Sequence, residues 1–175
     1  MPGKKPLGSL NNHRLNLAGR EVTLTWVGQT DAGAARVHAL AFTTEGNLLL
    51  VTDGPGEPDH WLPGGGVEDG ETPEAALQRE LLEEADARIE ALEYLGSQRI
   101  DDPQGRQGYL RYYWCRVRLL PQAQPRAEAT LRHVVAPAEF LDRLYWGRSD
   151  PAARTLLDLA VKVELQYQEK SKLDG

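Results

Sequence analysis

The sequence predicts an α/β domain in which a sheet layer is flanked by helices. Three observations lead there. Alternating, β-branched segments cluster in both halves of the chain, only three segments carry helical periodicity, and 175 residues is the usual size of one domain.

Residues 1–20 mix Pro2, Gly3, Pro6, Gly8 and the Asn11-Asn12 pair with isolated leucines, so a loosely ordered basic arm is expected before a domain spanning 21–175. Glu21 to Val27 alternates and is β-branched, which predicts a first strand. Ala35 to Thr43 reads as a second strand. Glu45-Gly46-Asn47 has hairpin-turn chemistry, and Leu48 to Thr52 returns as a third. The Asp53–Asp59 stretch is rich in turn residues, and Pro63-Gly64-Gly65-Gly66 reads as a second flexible stretch. Thr72 offers an N-cap, Pro73 suits the first helical position and Glu74 favours the positive helix end, so a helix is expected from Pro73 to about Ala85. Ile89 to Ile100 and Gln107 to Leu120 predict two long strands around an Asp-Asp-Pro turn, and Thr130 to Ala136 a shorter one. Pro137 to Leu144 and Asp150 to about Lys170 read as helices, the second with an apolar stripe through Leu156, Leu159, Ala160 and Val163.

Composition narrows the function. A single cysteine cannot close an intramolecular disulfide, which excludes a disulfide-framed secreted scaffold. A net charge of −6 argues against a protein that lives by wrapping nucleic-acid phosphates. No apolar run approaches membrane-spanning length, and no signal peptide is visible, so a cytoplasmic protein is expected.

The chemistry lies in Arg79-Glu80-Leu81-Leu82-Glu83-Glu84. At about 100° per residue, Glu84 lies about 40° from Glu80 and Glu83 about 60° on its other side. Three carboxylates share one narrow face, while Leu77, Leu81 and Ala85 lie on a neighbouring face suited to the sheet. Like charges at i,i+4 repel, and glutamates near a helix C-terminus oppose its dipole. Oxygen-only ligands of this kind suit a hard divalent cation such as Mg²⁺, and no Cys/His cluster suggests zinc. From the helix alone, a solvated charged face explains the stripe equally well.

The segment from Gly65 to Ala87 decides between them, because it resembles the Nudix box, G-x5-E-x7-R-E-U-x-E-E-x-G-U with U a bulky aliphatic. Gly65, Glu71, Arg79, Glu80, Leu81, Glu83 and Glu84 all match at the required spacing. Asp86 stands where the family has Gly, and Ala87 is smaller than the usual last aliphatic. That glycine follows the helix at a place suited to the left-handed conformation, which Asp enters at modest cost.

The resemblance implies an α/β/α sandwich with a mixed sheet, and hydrolysis of a phosphoanhydride in a nucleoside diphosphate linked to another group, supported by Mg²⁺ or Mn²⁺. It implies Glu80, Glu83 and Glu84 as metal ligands, joined by the backbone carbonyl of Gly64. It implies a Glu71–Arg79 ion pair that orients the carboxylates. Glu80 or Glu84 could take the proton of the attacking water, and Glu128 on a later loop is the alternative, with Asp101 and Asp102 as rivals in what reads otherwise as a plain turn. The expected partner is a small nucleotide, acted on by a monomer or homodimer; ADP-ribose and nucleotide sugars are candidates. Pro103 at an approximate offset is poor support for ADP-ribose, because turns select proline anyway. The competing readings are a Nudix-like nucleotide sensor without turnover, and an RNA-end-processing enzyme, against which the acidic balance weighs.

The remaining residues carry plainer expectations. Tyr109, Tyr112, Tyr113 and Trp114 crowd one strand, where core packing is the expected role and base stacking the alternative. His38 and His133 are read as core or edge histidines, Cys115 as a buried packing residue and Trp61 as an anchor for the glycine loop.

Overall fold

The computed structural model describes residues 13–17, 19–122 and 130–175. In chain order its elements are β1 (His13–Leu17), β2 (Arg20–Gly28), β3 (Arg36–Phe42), β4 (Leu48–Thr52), β5 (Gly64–Gly66), α1 (Pro73–Ala85), β6 (Ala87–Asp101), β7 (Gln107–Leu119), β8 (Leu131–Val135), α2 (Pro137–Arg143) and α3 (Pro151–Leu173). The sheet runs β1-β2-β6-β7-β3-β4-β8, with β5 paired to β3. The β3–β7 pairing is parallel and the others are antiparallel, so the sheet is mixed as expected.

Alternation along the central strands sorts the core into two layers. Val37, Ala39 and Ala41 of β3, Leu49 and Val51 of β4, and Tyr113 and Cys115 of β7 pack with Ala76, Leu77, Leu81 and Ala85 of α1. Their neighbours Leu40, Phe42, Leu48, Leu50, Tyr112 and Trp114 pack on the other face against Phe140 of α2 and Leu156, Leu157, Ala160 and Val163 of α3. The aromatic run of β7 is therefore split between the layers. Cys115 is buried, and burial pushes its thiol pKa up, in keeping with a packing residue. The buried Glu164 of α3 is satisfied by Arg116 and by the Trp114 indole N–H at 3.1 Å, which ties α3 to β7.

Helix α1 has the predicted ends. Thr72 Oγ1 accepts from the Ala75 N–H at 3.1 Å, and Asp86 closes the helix at φ 44, ψ 48 in the left-handed region.

Two expectations need correction. Within the presumed arm, His13–Leu17 is a strand, in register with β2 from His13↔Leu24 to Leu17↔Arg20. An edge strand of this kind is held by partner backbone, which composition does not register. The glycine stretch is not simply flexible either. Gly64–Gly66 forms β5 against Arg36–His38 of β3, where backbone pairing supplies what glycine propensity does not.

The arrangement of β3 and β4 positions the site. Their ladder contains only the Phe42↔Leu48 pair, and further along β3 bonds β5 instead. Trp61 bridges back to Val51 of β4. The two central strands thus diverge, and the 61–66 segment is laid between them.

Candidate active site

Gly64 lies where α1 crosses this divergence. Its φ is 151, and a Cβ there would strike the Val37 carbonyl, so only glycine fits. A Cβ on Gly65 would overlap the Glu80 carboxylate. Gly65 therefore brings bare backbone against the acidic face of α1, and Gly64 brings it against β3. The Gly64 N–H donates to Glu84 Oε2 at 2.8 Å, fixing that carboxylate at the end of the glycine strand.

Arg79 is the hub of the face. Its Nε and Nη2 donate to the two oxygens of Glu71, both at 3.0 Å, and Nη2 also donates to the Gly66 carbonyl at 2.9 Å. Glu71 in turn accepts the Glu68 N–H at 3.0 Å. The Glu71–Arg79 pair thus fastens the 66–71 loop to the helix in bidentate geometry. Hydrogen bonding from Arg79 holds the Glu71 carboxyl below its usual range, and the same bond to Glu71 raises the guanidinium. Nη1 reaches Glu80 at 2.8 Å and approaches Glu83 at 3.6 Å. Glu80 is nearly enclosed, whereas the Glu83 side chain is 61% exposed.

Glu84 differs from both. Burial pushes its pKa up to about 7, against the Gly64 hydrogen bond, and the nearby negative charges of Glu80 and Asp53 add to the rise. Surplus negative charge held in place beside glycine backbone, with oxygen donors alone, fits a hard divalent cation. Glu80, Glu83 and Glu84 are the side chains that could hold it. Among the described residues no three acid or imidazole groups already converge on one point, since Arg79 holds Glu80 and draws Glu83 toward it.

A cavity of about 370 Å³ opens from Glu84 and Gly64. Arg36 and Asp53 also line it, and Arg36 makes no ion pair among the described residues. His38, Trp61, Tyr112, Trp146, Gln98 and Asp150 line it as well. His38 is kept neutral: burial, with Arg36 nearby, lowers its pKa to about 4, and Nδ1 lies 3.2 Å from the Leu62 carbonyl.

The site thus brings together Gly64, Glu71, Arg79, Glu80, Glu83 and Glu84. Glu128 lies outside the described residues. Asp101 and Asp102 serve their turn: Asp101 pairs with Arg99 at 2.9 Å, and Asp102 accepts from Gln104, Arg106 N–H and the Arg106 guanidinium. The sequence alone does not single out the cavity residues Arg36, Asp53 and Gln98, and it marks Asp150 only as a helix start. Arg36 and His38 stand two apart on one strand, a same-face signal that could have been read.

Residues 34–156 match the family model for the NUDIX domain. The chain belongs to the Nudix family. Similar solved structures include the Bacillus subtilis pyrophosphohydrolase BsRppH, at 19% identity and a TM-score of 0.62, over 86% of this chain and 97% of that one. A MutT structure, from work on the fish pathogen Aliivibrio salmonicida and on Vibrio cholerae, matches at 20% identity and a TM-score of 0.50, over 70% and 94%. A Nudix hydrolase from Nitrosomonas europaea matches at 18% and 0.54, over 73% and 87%. At these identities the likeness is one of fold. Nudix membership makes this chain a pyrophosphohydrolase in the general sense, and α1 with its preceding loop is its Nudix box. Among the described residues no helix is long and apolar enough to cross a membrane.

Proposed function

We propose that this Nudix protein hydrolyses a phosphoanhydride bond in a nucleoside diphosphate linked to another group, with Mg²⁺ or Mn²⁺ held by Glu80, Glu83, Glu84 and the Gly64 carbonyl. The observation that carries the reading is the Glu84 carboxylate, bonded to the Gly64 N–H at the point where the box helix meets the cavity. The bound cation would neutralise charge on the phosphate oxygens and lower the pKa of the attacking water. The chain's own residues do the rest. Gly64 and Gly65 hold the backbone close to β3 and to the Glu80 carboxylate, and Gly66 leaves open space through which a phosphate can approach backbone. Arg36, which makes no ion pair among the described residues, offers its guanidinium at the cavity, suited to a phosphate oxygen. The Glu71–Arg79 pair holds loop and helix in register, so that the glutamates are positioned before substrate arrives. Glu84 is the favoured proton acceptor because it alone of the three box glutamates lines the cavity; Glu80 and Glu128 are the alternatives. The same proposal takes the protein to act in the cytoplasm, as monomer or homodimer, on small nucleotides, and the net charge of −6 and single cysteine are in keeping with that location and substrate class.

The test is a screen of nucleoside diphosphate derivatives, ADP-ribose and nucleotide sugars included, with Mg²⁺ and with Mn²⁺, following the phosphate-bearing products. Turnover that disappears on chelation and returns with the metal is expected. Undiminished turnover after complete chelation would remove the metal from the reading. Tight binding without turnover across the screen would make the protein a sensor instead.

A further inference from the structure

Beyond its charged groups, the cavity has a second kind of lining. Its walls mix aromatic and aliphatic side chains: the Tyr112 ring centroid lies 6.3 Å from that of Trp146 and 6.3 Å from that of His38, and Trp61, Leu24, Leu62 and Ile100 line the same cavity. Such walls suit a flat heteroaromatic ring. Two polar side chains are sunk among them, Gln98 at 1% exposure and Asp150 at 3%. A buried polar group needs partners, and here the protein supplies only part of them. Gln98 Oε1 accepts from the Tyr112 hydroxyl at 2.7 Å, which leaves the amide N–H₂ as what Gln98 can offer a ligand. Asp150 Oδ1 accepts from the Ala152 N–H at 2.8 Å as the N-cap of α3, which leaves Oδ2 and the second lone pair of Oδ1. The cavity therefore presents a fixed donor and a carboxylate acceptor between aromatic and aliphatic walls, and Gly64 and Glu84 line the same cavity.

We propose that Asp150 and Gln98 select the base of the nucleotide, and that the base they select is a 2-amino-6-oxopurine, that is, guanine. The inference rests on the nucleotide reading above. A carboxylate is best matched by two parallel N–H groups, and guanine is the common base that offers them side by side, from N1–H and the 2-amino group. Its O6 then accepts from the Gln98 amide. Adenine gives the carboxylate a single amino donor and leaves it half matched. Uracil gives a single ring N–H and, being monocyclic, fills less of the space. A site built around buried polar groups rejects ligands that leave them unpaired more strongly than an apolar pocket rejects a change of size.

The test is equilibrium binding of GMP, IMP and AMP by calorimetry, with no metal added. None of these contains a phosphoanhydride, so the result is independent of whether the protein hydrolyses anything. Asp150→Asn and Asp150→Ser are measured beside the wild type; both residues cap helices well, so α3 should keep its start, which a denaturant midpoint checks. The expected result is GMP binding about tenfold or more tighter than AMP, with IMP, which lacks the 2-amino group, between them. Asp150→Asn should erase most of that preference, because the new amide brings donors to face donors, and Asp150→Ser should weaken GMP without improving AMP. Equal binding of the three nucleotides, no GMP binding at millimolar concentration, or a GMP preference that survives in both folded variants would each overturn the proposal. Failure of the hydrolysis screen with GMP selectivity intact would instead count against the catalytic reading alone.

Discussion

Asp86 sits at φ 44 in the one positive-φ conformation adopted by a non-glycine residue among those described. Every side chain other than glycine is strained there, and Asp and Asn least. Asp86→Gly should therefore stabilise the protein by about 1 kcal/mol or less, the gain being limited because glycine loses more chain entropy on folding. Asp86→Val should be clearly destabilising, since a β-branched residue at positive φ is a genuine outlier. Denaturant midpoints of the three proteins check both signs. Activity should change little in Asp86→Gly, because the residue lies past the box glutamates; its loss in a stable protein would mark Asp86 as a functional acid. The departure from the family pattern at this position thus concerns how the helix ends, and the glutamate face upstream keeps its geometry.

Helix α1 lacks a basic residue in its last turn, and a distant strand supplies one. Arg132 of β8 donates through Nη1 to the carbonyls of Ala85 at 2.9 Å, Asp86 at 3.3 Å and Leu120 at 3.1 Å. It satisfies the end of the helix from outside and pins it to the chain just past β7. Arg132→Met keeps an apolar stem but leaves those carbonyls short of a donor, so a loss of about 1–3 kcal/mol is expected, read as a lower denaturant midpoint. A change within a few tenths of a kcal/mol would show that water replaces the guanidinium without cost. This contact also marks where sequence reading ends. The start of α1, its buried face and its left-handed exit were legible because each depends on residues within a few positions: Thr72 and Pro73, the Leu77–Leu81–Ala85 spacing, and Asp86. The glutamates were legible because one helix turn brings them together. Arg132, the Gly64–Gly66 pairing and β1 depend on backbone that arrives from elsewhere in the chain, and no local pattern encodes it. Gln98 and Asp150 escaped for the same reason, as two strand and loop residues joined only by the closure of α3 over the sheet.

Across the whole molecule, two histidines make stability depend on pH in the same direction. His133 lies 2.9 Å from Thr52 Oγ1, and its ring meets that of His60 edge-on at 4.6 Å, with Arg143 3.1 Å from His60. Burial, then the charges of His60 and Arg143, lower its pKa below 6.5. His38 is lowered to about 4. Both bind fewer protons folded than unfolded, so the stability they confer is complete above about pH 6.5 and is lost as pH falls through their folded values. In His133→Gln the fall in denaturant midpoint between pH 7.5 and pH 5.5 should be smaller than in the wild type; an equal fall would remove His133 from the account. The divergence of β3 and β4 places glycine backbone, box glutamates and cavity at one point. Glu84 is the group common to all three, because it bonds Gly64 and lines the cavity. The most direct test is kcat of Glu84→Gln against wild type on whichever nucleoside diphosphate derivative the screen finds best, with Mg²⁺ or Mn²⁺ present and after chelation. The account predicts a folded variant whose kcat falls by about 10²-fold or more, and a wild type that loses activity on chelation. Wild-type turnover in folded Glu84→Gln would contradict it.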